Sequence, residues 1–391
     1  MIELVDLVKS YDGVTNVVDG LNLTINSGEL VVLIGSSGSG KSTILRMINR
    51  LNSITGGDIL IDGESIQEKN TIELRRGIGY VIQKVGLMPH MTVGENIEMV
   101  PKLLGWDKKT RRKQAMAMLA RVDLPAKEYY PRYPGELSGG QQQRVGVARA
   151  LAVNPEVILM DEPFSALDPI TREQLQQEIL ALQDELHKTI VFVTHDMDEA
   201  LKIADRIALL KDGEIVQYST PEELLRNPVN EYVREFVGND RLWQTPEFLY
   251  ARDIMRTNVA RISMKRTAAQ AIEMMKDKDT YVGYVIDTES KPPKRFRGEV
   301  SMTQLQNARG KKMADVMNAD AVFVYDHTNM AEVLSLMQEQ NYKRVPVLNR
   351  DHCVVGYINR SALLNIITDV MPSAGSDEPV ELTAETTTEA A

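Results

Sequence analysis

Residues 30–51 read LVVLIGSSGSGKSTILRMINRL, and this stretch decides the fold. Its first five residues are the short apolar run of a strand buried on both faces, and its last nine have helical spacing. Between them lies GSSGSGKS, residues 35–42. Gly35, Gly38 and Gly40 allow a tight turn in which several amide N–H groups point inward, and the positive end of the following helix adds to the field at a bound phosphate. Lys41 supplies a point charge toward β- and γ-phosphates, and the Ser42 hydroxyl is suited to ligate Mg²⁺. The expected nucleotide-binding set is Gly35, Ser36, Ser37, Gly38, Ser39, Gly40, Lys41, Ser42 and Thr43. A glycine-rich turn without strand and helix on either side would carry no such weight.

A second anchor is VILMDEP, residues 157–163, where an apolar strand delivers Asp161 and Glu162 at its C-terminal end. That edge is where ligands of open α/β sheets sit. Two carboxylates allow two roles: Asp161 for the metal, Glu162 as general base toward the attacking water. Gln83 and His195 also follow predicted strands, GIGYVI and TIVFVT, and either could contact the γ-phosphate or its water, although a lone Gln or His at a strand end is more often structural and the two gain weight only from the motif at 137–144. Gln83, with Ser42 and Asp161, completes the expected Mg²⁺ set.

Composition sets the frame around these anchors. With 391 residues, a prior of about one domain per 150 residues predicts two or three domains. Apolar residues at 43% and charged residues at 26% exclude a disordered or fibrous chain. The single cysteine, Cys353, excludes an intrachain disulfide, fits a reducing compartment and is expected to be a buried packing residue. Glu3 and Asp6 interrupt any secretory signal, and the longest apolar runs, such as 31–34 and 157–160, fall far short of the ~18 residues that span a bilayer. A membrane role is therefore expected to come through partners. Net charge is −9 over residues 1–250, +4 over 251–371 and −5 over 372–391, which argues against nucleic acid as a partner of the main body.

Residues 1–237 alternate strand and helix patterns and are expected to form one ATPase domain, with strands at 30–34, 79–82, 157–160 and 190–193. A helical subdomain is expected over 95–149. Residues 238–251 read as a linker. Beyond it Asp253-Ile254-Met255 recurs 62 positions later as Asp315-Val316-Met317, and Val285-Ile286 recurs as Val347-Leu348. Gly298 matches Gly356 at an offset of 58, so the copies slip by four residues around 291–297. Two strand-helix-strand-strand-helix units, 252–310 and 311–371, are expected to cover each other's apolar faces and fold as one module. Residues 372–391 lack apolar periodicity and are expected to be a disordered acidic tail.

Residues 137–144, LSGGQQQR, carry a more specific signal. As a helix start they make sense in themselves: Ser138 caps, and Gly139 and Gly140 let an anion approach exposed N–H groups. With the other motifs in order from Tyr11 to His195, residues 1–237 resemble the ATP-binding cassette (ABC) family. The resemblance implies an α/β P-loop NTPase fold with a RecA-like core and helical subdomain, with ATP and Mg²⁺ as cofactors. It implies that Tyr11 stacks on adenine, that Ser138, Gly139, Gly140 and Gln141 close over the γ-phosphate held by a second copy, that Asp168 lies at the dimer seam and that His195 senses the γ-phosphate. A homodimer sandwiching two nucleotides follows from it.

The run GLMPHMTVGENIEMVPKLLGW after Gln83, the stretch 133–172 and the C-terminal repeat together resemble the ATPase subunit of osmoprotectant importers, through residue 371. That family takes up quaternary amines such as glycine betaine, carnitine and choline through permease subunits at the cytoplasmic face of the membrane, fed by a substrate-binding protein. Residues 86–99 are where it meets its permease. An importer ATPase for another solute and a soluble, non-transport ABC protein are the competing readings. The repeat resembles a tandem CBS pair. Ser301 with Gln304, and Asn359 with Ala362, stand where that motif has Ser/Thr and Asp for ribose, so simple AMP or ATP binding is not expected there. Related transporters bind cyclic di-AMP at this module, and Tyr342 and Arg360 are the candidates for stacking and charge. Lys291, Lys294, Arg295, Arg297, Lys311 and Lys312 suggest a second signal, ionic strength acting on contact with anionic lipid.

Overall fold

The computed structural model describes residues 1–83, 86–165, 167–238, 241–243, 245–290, 294–308, 310–339 and 342–360. The chain divides into two compact units, Met1–Gly238 and Asn239–Ala391. Ten strands appear among the described residues of the first: β1 (Ile2–Ser10), β2 (Asn16–Ile25), β3 (Leu30–Gly35), β4 (Gly56–Ile61), β5 (Glu64–Ser65), β6 (Ile78–Val81), β7 (Val157–Asp161), β8 (Thr189–Val193), β9 (Arg206–Lys211) and β10 (Glu214–Ser219). Its helices are α1 (Lys41–Ile48), α2 (Thr71–Gly77), α3 (Val93–Leu103), α4 (Lys108–Arg121), α5 (Ala126–Tyr129), α6 (Gly139–Leu151), α7 (Pro169–Leu186), α8 (Met197–Ile203), α9 (Pro221–Arg226) and α10 (Glu231–Val237).

Strands β3, β7 and β8 are buried along their whole length, which is why their sequences are unbroken apolar runs. Each fully buried Val, Leu or Ile among them contributes roughly 1.5–3 kcal/mol of hydrophobic stabilisation. They form the centre of a six-stranded sheet, order β10-β9-β3-β8-β7-β6, parallel except for the β10–β9 pair. The register sets Leu33 opposite Val193, and Val193 opposite Asp161, so three strand ends finish level on one edge. The strand expected at 79–82 is β6, one residue earlier, because Ile78 pairs with Val157 and Val81 is the last residue paired, to Met160. A second sheet, order β2-β1-β4-β5, is antiparallel, and one buried cluster joins it to α1 and the first sheet through Leu4, Leu7, Leu33, Ile44, Leu45 and Leu159.

The helical subdomain is built from α3, α4 and α6, each packed on the other two. Thr92 starts α3 with a capping box to Glu95, Asp107 caps α4, and Ser138 starts α6 with a capping box to Gln141.

The second unit repeats one motif. Helix α11 (Ala251–Ile254) leads into β11 (Ala260–Ser263), α12 (Ala268–Asp277), β12 (Val282–Asp287), β13 (Arg295–Ser301) and α13 (Met302–Gln306). The second copy runs β14 (Val324–Tyr325), α14 (Met330–Glu339), β15 (Arg344–Leu348) and β16 (Val354–Asn359). Both three-stranded sheets have a parallel first pair and an antiparallel second pair. Both carry a register shift at equivalent places, Val285/Ile286 and Val347/Leu348. The end of the second copy, Ala362 and the acidic tail lie outside the described residues, as does Lys291. Two expectations are corrected. Part of the stretch read as a linker is packed, because Leu249 is fully buried with Met330, Val333 and Val345, and Leu242 packs against the same cluster. Cys353 is half-buried rather than buried, since it closes the exposed β15–β16 turn, where its amide donates to Asn349 Oδ1 at 2.9 Å.

Candidate functional site

The phosphate loop leaves the end of β3 at Gly35. A Cβ there would lie 2.2 Å from the Leu210 carbonyl oxygen, so only glycine lets β3 sit this close to β9. Gly40 begins α1 in a left-handed conformation, φ 98°, with its back to the Val17 carbonyl of β2. It offers no side chain to accept from the first-turn amides, which leaves those donors to an anion. Lys41 is buried, and its Nζ donates at 2.8 Å to the carbonyls of both Gly35 and Ser36, closing the loop. Burial pushes the Lys41 pKa down, opposed by the carboxylates of Glu162 and Asp161.

The neighbouring strand ends bring their polar residues to this loop. Ser42 Oγ donates to Asp161 Oδ1 at 2.7 Å, and Arg46 Nη2 stands 3.8 Å from Asp161 Oδ2. Asp161 itself is buried. Glu162 adopts φ 46°, its amide donates to the Val193 carbonyl at 3.0 Å, and its carboxylate takes Gln83 Nε2 at 2.7 Å. His195 Nδ1 lies 3.6 Å from the other Glu162 oxygen, with its ring largely exposed. Lys41, Ser42, Asp161, Glu162, Gln83 and His195 thus form one linked cluster. The hydroxyl-carboxylate pair Ser42–Asp161 is a donor set that suits Mg²⁺, which is held through one or two carboxylates and phosphate oxygens and not by an all-protein cage. No group of three or more His, Cys, Asp or Glu suited to a metal occurs among the described residues.

The remaining predicted residues stand in other settings. Tyr11 is 63% exposed on the β1–β2 turn, its hydroxyl accepting from Asn52 Nδ2 at 2.8 Å. Ser138 and Gln141 bond each other at the start of α6, Gln141 Nε2 donates to the Tyr129 hydroxyl at 3.0 Å, and Gly139 is exposed. Asp168 caps α7, accepting from the Thr171 amide at 3.1 Å, and hydrogen bonds from the Thr171 side chain and amide hold its carboxyl below the usual range. In the second unit Ser301 and Gln304 form a capping box for α13, which accounts for both side chains without a ligand. Tyr342 and Arg360 flank the same end of the β15–β16 pair, where the Arg360 amide donates to the Lys343 carbonyl and Arg344 is opposite Asn359.

Sequence reading missed several residues around the site. Arg46 faces Asp161 from α1. Arg172 donates to the Leu167 carbonyl at 3.2 Å and stands 3.7 Å from both Asp196 and Glu199, linking the turns that carry Asp168 and His195. Asn96 and Arg149 hold the segment after Gln83. Only the Thr92-x-x-Glu95 capping box hinted that this segment is fixed.

A parallel sheet with a phosphate loop at its edge, strand-end carboxylates and an inserted helical subdomain headed by Ser-Gly-Gly-Gln defines a P-loop ATPase of the ABC type. The ABC transporter family profile matches residues 18–165, and the CBS domain profile residues 313–369. A solved dimeric bacterial ABC transporter cassette is 40% identical, with a TM-score of 0.52 over 56% of this chain and 99% of its own. Among curated proteins, the carnitine transport ATP-binding protein OpuCA of Listeria monocytogenes is 46% identical over 94% of this chain and 92% of its own length. The glycine betaine/carnitine/choline transport ATP-binding protein OpuCA of Bacillus subtilis is 46% identical over 94% and 97%, and the osmoprotectant import ATP-binding protein OsmV of Salmonella typhimurium 41% over 94% and 96%. The chain belongs to this family of ATP-binding subunits of osmoprotectant ABC transporters. It is an ATPase of transport, and no helix among the described residues is long and apolar enough to cross a membrane.

Proposed function

We propose that this chain hydrolyses ATP to power uptake of quaternary-amine osmoprotectants, glycine betaine, carnitine or choline, through permease subunits fed by a substrate-binding protein. The observation that carries this is the identity of 46% to a carnitine and to a glycine betaine/carnitine/choline ATP-binding protein, spread over 94% of the chain and so over both units. The reading places the chain at the cytoplasmic face of the membrane, held there by its permease at residues 86–99, where Met88 is 40% exposed.

Each site residue then has a role. The amides from Gly35 to Thr43 and the Lys41 ammonium hold the phosphates, and Tyr11 stacks on adenine. Ser42, Asp161 and Gln83 would hold Mg²⁺, which supplies charge neutralisation on the phosphate oxygens. Glu162 takes the proton of the attacking water as the bond from the γ-phosphorus to ADP breaks, and Gln83 and His195 fix that carboxylate from either side. Ser138 to Gln141 complete the site of a second copy, and Asp168 stands at the seam of that homodimer. Residues 252–310 and 311–371 act as a regulatory CBS pair, with Tyr342 and Arg360 as the contacts for cyclic di-AMP, or with ionic strength as the signal.

The test is uptake by the chain assembled with its permease and binding protein in vesicles. ATP-dependent uptake of labelled betaine, carnitine or choline is the expected result, and uptake of none of the three overturns the substrate reading. Calorimetric titration of the full chain with cyclic di-AMP tests the regulatory site, with heat expected for the wild type and lost in Tyr342→Ala; no wild-type heat removes the nucleotide signal.

A further inference from the structure

We infer that Asn96 is a positioning residue that makes the loop after Gln83 and the helix start at Ser138 move as one body. The Asn96 side chain is fully buried in the first turns of α3. Its Oδ1 accepts from the Met88 amide at 2.7 Å, and its Nδ2 reaches the carbonyls of Met88 and Met91 at 3.2 Å and of Thr92 at 2.9 Å. Two N–H bonds serve three carbonyls, so both donors of the side chain, together with its oxygen, are turned onto one loop. An exposed connecting loop is ordinarily among the more mobile parts of a fold. Here it is pinned from beneath.

Two further ties bind the same segment to the helix that Ser138 begins. Arg149, in the last turn of α6, donates from Nη1 to the Gly86 carbonyl at 2.8 Å. The amides of Val93 and Gly94 donate to the carbonyls of Arg132 and Tyr130 at 2.7 and 3.0 Å, in the strip of chain that runs on to Ser138. That joint is tight: a Cβ on Gly94 would lie 2.4 Å from the Tyr130 ring. Residues 86–94 are therefore fastened to the last turn of α6 and to the strip at 130–132 that leads to its start, whereas Gln83, just before them, is bonded to Glu162 at the end of β7. A push on the Leu87–Met91 tip is carried to Ser138 instead of being absorbed in the loop, because a pinned segment has no alternative arrangement to relax into.

This rests on the proposed permease contact at residues 86–99, and the experiment separates the two. Hydrogen exchange on the free full chain tests the tie without any partner. In Asn96→Ala, exchange is expected to rise together at Met88 and at the Gly139–Gln141 amides; a rise confined to residues 86–92 overturns the tie. In the assembled transporter, Asn96→Ala is expected to keep the free subunit's kcat and KM for ATP within about twofold. Permease-stimulated hydrolysis and uptake per ATP are expected to fall by about fivefold or more. Equal loss of basal and stimulated rates, the signature of a merely structural residue, also overturns it. Should Asn96→Ala not fold, Arg149→Met against Arg149→Lys decides, with coupling lost in the first and retained in the second; equal behaviour of the pair overturns the inference. A joint exchange rise in Asn96→Ala, with a wild type that its permease does not stimulate, would remove the permease contact and leave the tie standing.

Discussion

Glu162 holds a backbone conformation, φ 46°, that costs a residue with a side chain, and its neighbours sustain it. Its amide reaches back to Val193, and its carbonyl takes the Ser165 amide at 3.3 Å and the Ser165 hydroxyl at 3.1 Å. This turns the carboxylate off the end of β7 toward Gln83 and His195. Removing the proposed base while keeping the shape, Glu162→Gln, is expected to lower kcat by about 10²–10⁴, in the range of one general base, with KM for ATP nearly unchanged. Phosphate release measures the first and competition with a fluorescent nucleotide the second. A different acid sets the loop that carries Tyr11. Hydrogen bonds from the amides of Thr15 and Val14 and from the Ser10 hydroxyl hold the Asp12 carboxyl down at about 2, from 3.8. A depressed carboxyl contributes its stability fully above the unfolded value and loses it as pH falls through the folded one. The turn therefore keeps its shape in mild acid, and carbon-detected NMR titration should find the Asp12 midpoint near 2; a midpoint near 3.8 would mean that the turn is open in solution.

At the scale of elements, α6 is constrained both at its start and on the face it turns to α7. Its start is secured by the reciprocal Ser138–Gln141 bonds, and Ser138→Ala is expected to cost about 1 kcal/mol. For a unit of this size that lowers Tm by roughly 2–4 °C in calorimetry. Within that first turn, Gly140 faces α7 so closely that a Cβ would stand 2.5 Å from Thr171 Cγ2. Gly140→Ala is expected to cost about 1–3 kcal/mol by overpacking. Thr171→Ser removes that methyl while keeping the hydroxyl that bonds Asp168, so the double variant should recover most of the loss. Additive melting shifts in the two singles and the double would show that the two helices do not meet there.

Across the whole molecule, what was legible in the sequence was what is encoded locally. The strand, glycine loop and helix of β3 to α1 are contiguous and show two periodicities on either side of a turn. The repeat was legible because equivalent residues recur at an offset of 62 that changes to 58 past the loop at 291–297. The strand pairing that sets Asp161 opposite Val193 and brings Glu162 to Gln83 was not, since it joins segments scores of residues apart. Nor was the β2-β1-β4-β5 sheet, whose strands are half-exposed and broken by three register shifts in the β1–β2 pair alone. Nothing in the sequence sets Asn96 apart from other polar helix residues, since its partners are backbone groups of the preceding loop. The role of Ser138 to Gln141 is likewise unreadable within one chain, where these residues bond each other, Tyr129 and nothing of the phosphate cluster just described. In the proposed function the Gly139 and Gly140 amides, at the head of a 13-residue helix, form half of an anion site whose other half is the Lys41 loop of a second copy. Slow hydrolysis should capture that state, so full-length Glu162→Gln with ATP and Mg²⁺ is expected to double in mass by light scattering, while wild type with ADP does not. Placing a carboxylate at the helix start, Gly139→Asp, sets like charge against the phosphate and should abolish the doubling without weakening the first nucleotide bound to each chain. Nucleotide binding that weakens in step with dimer loss would instead place Gly139 in its own chain's site, and the two-copy sandwich would fall.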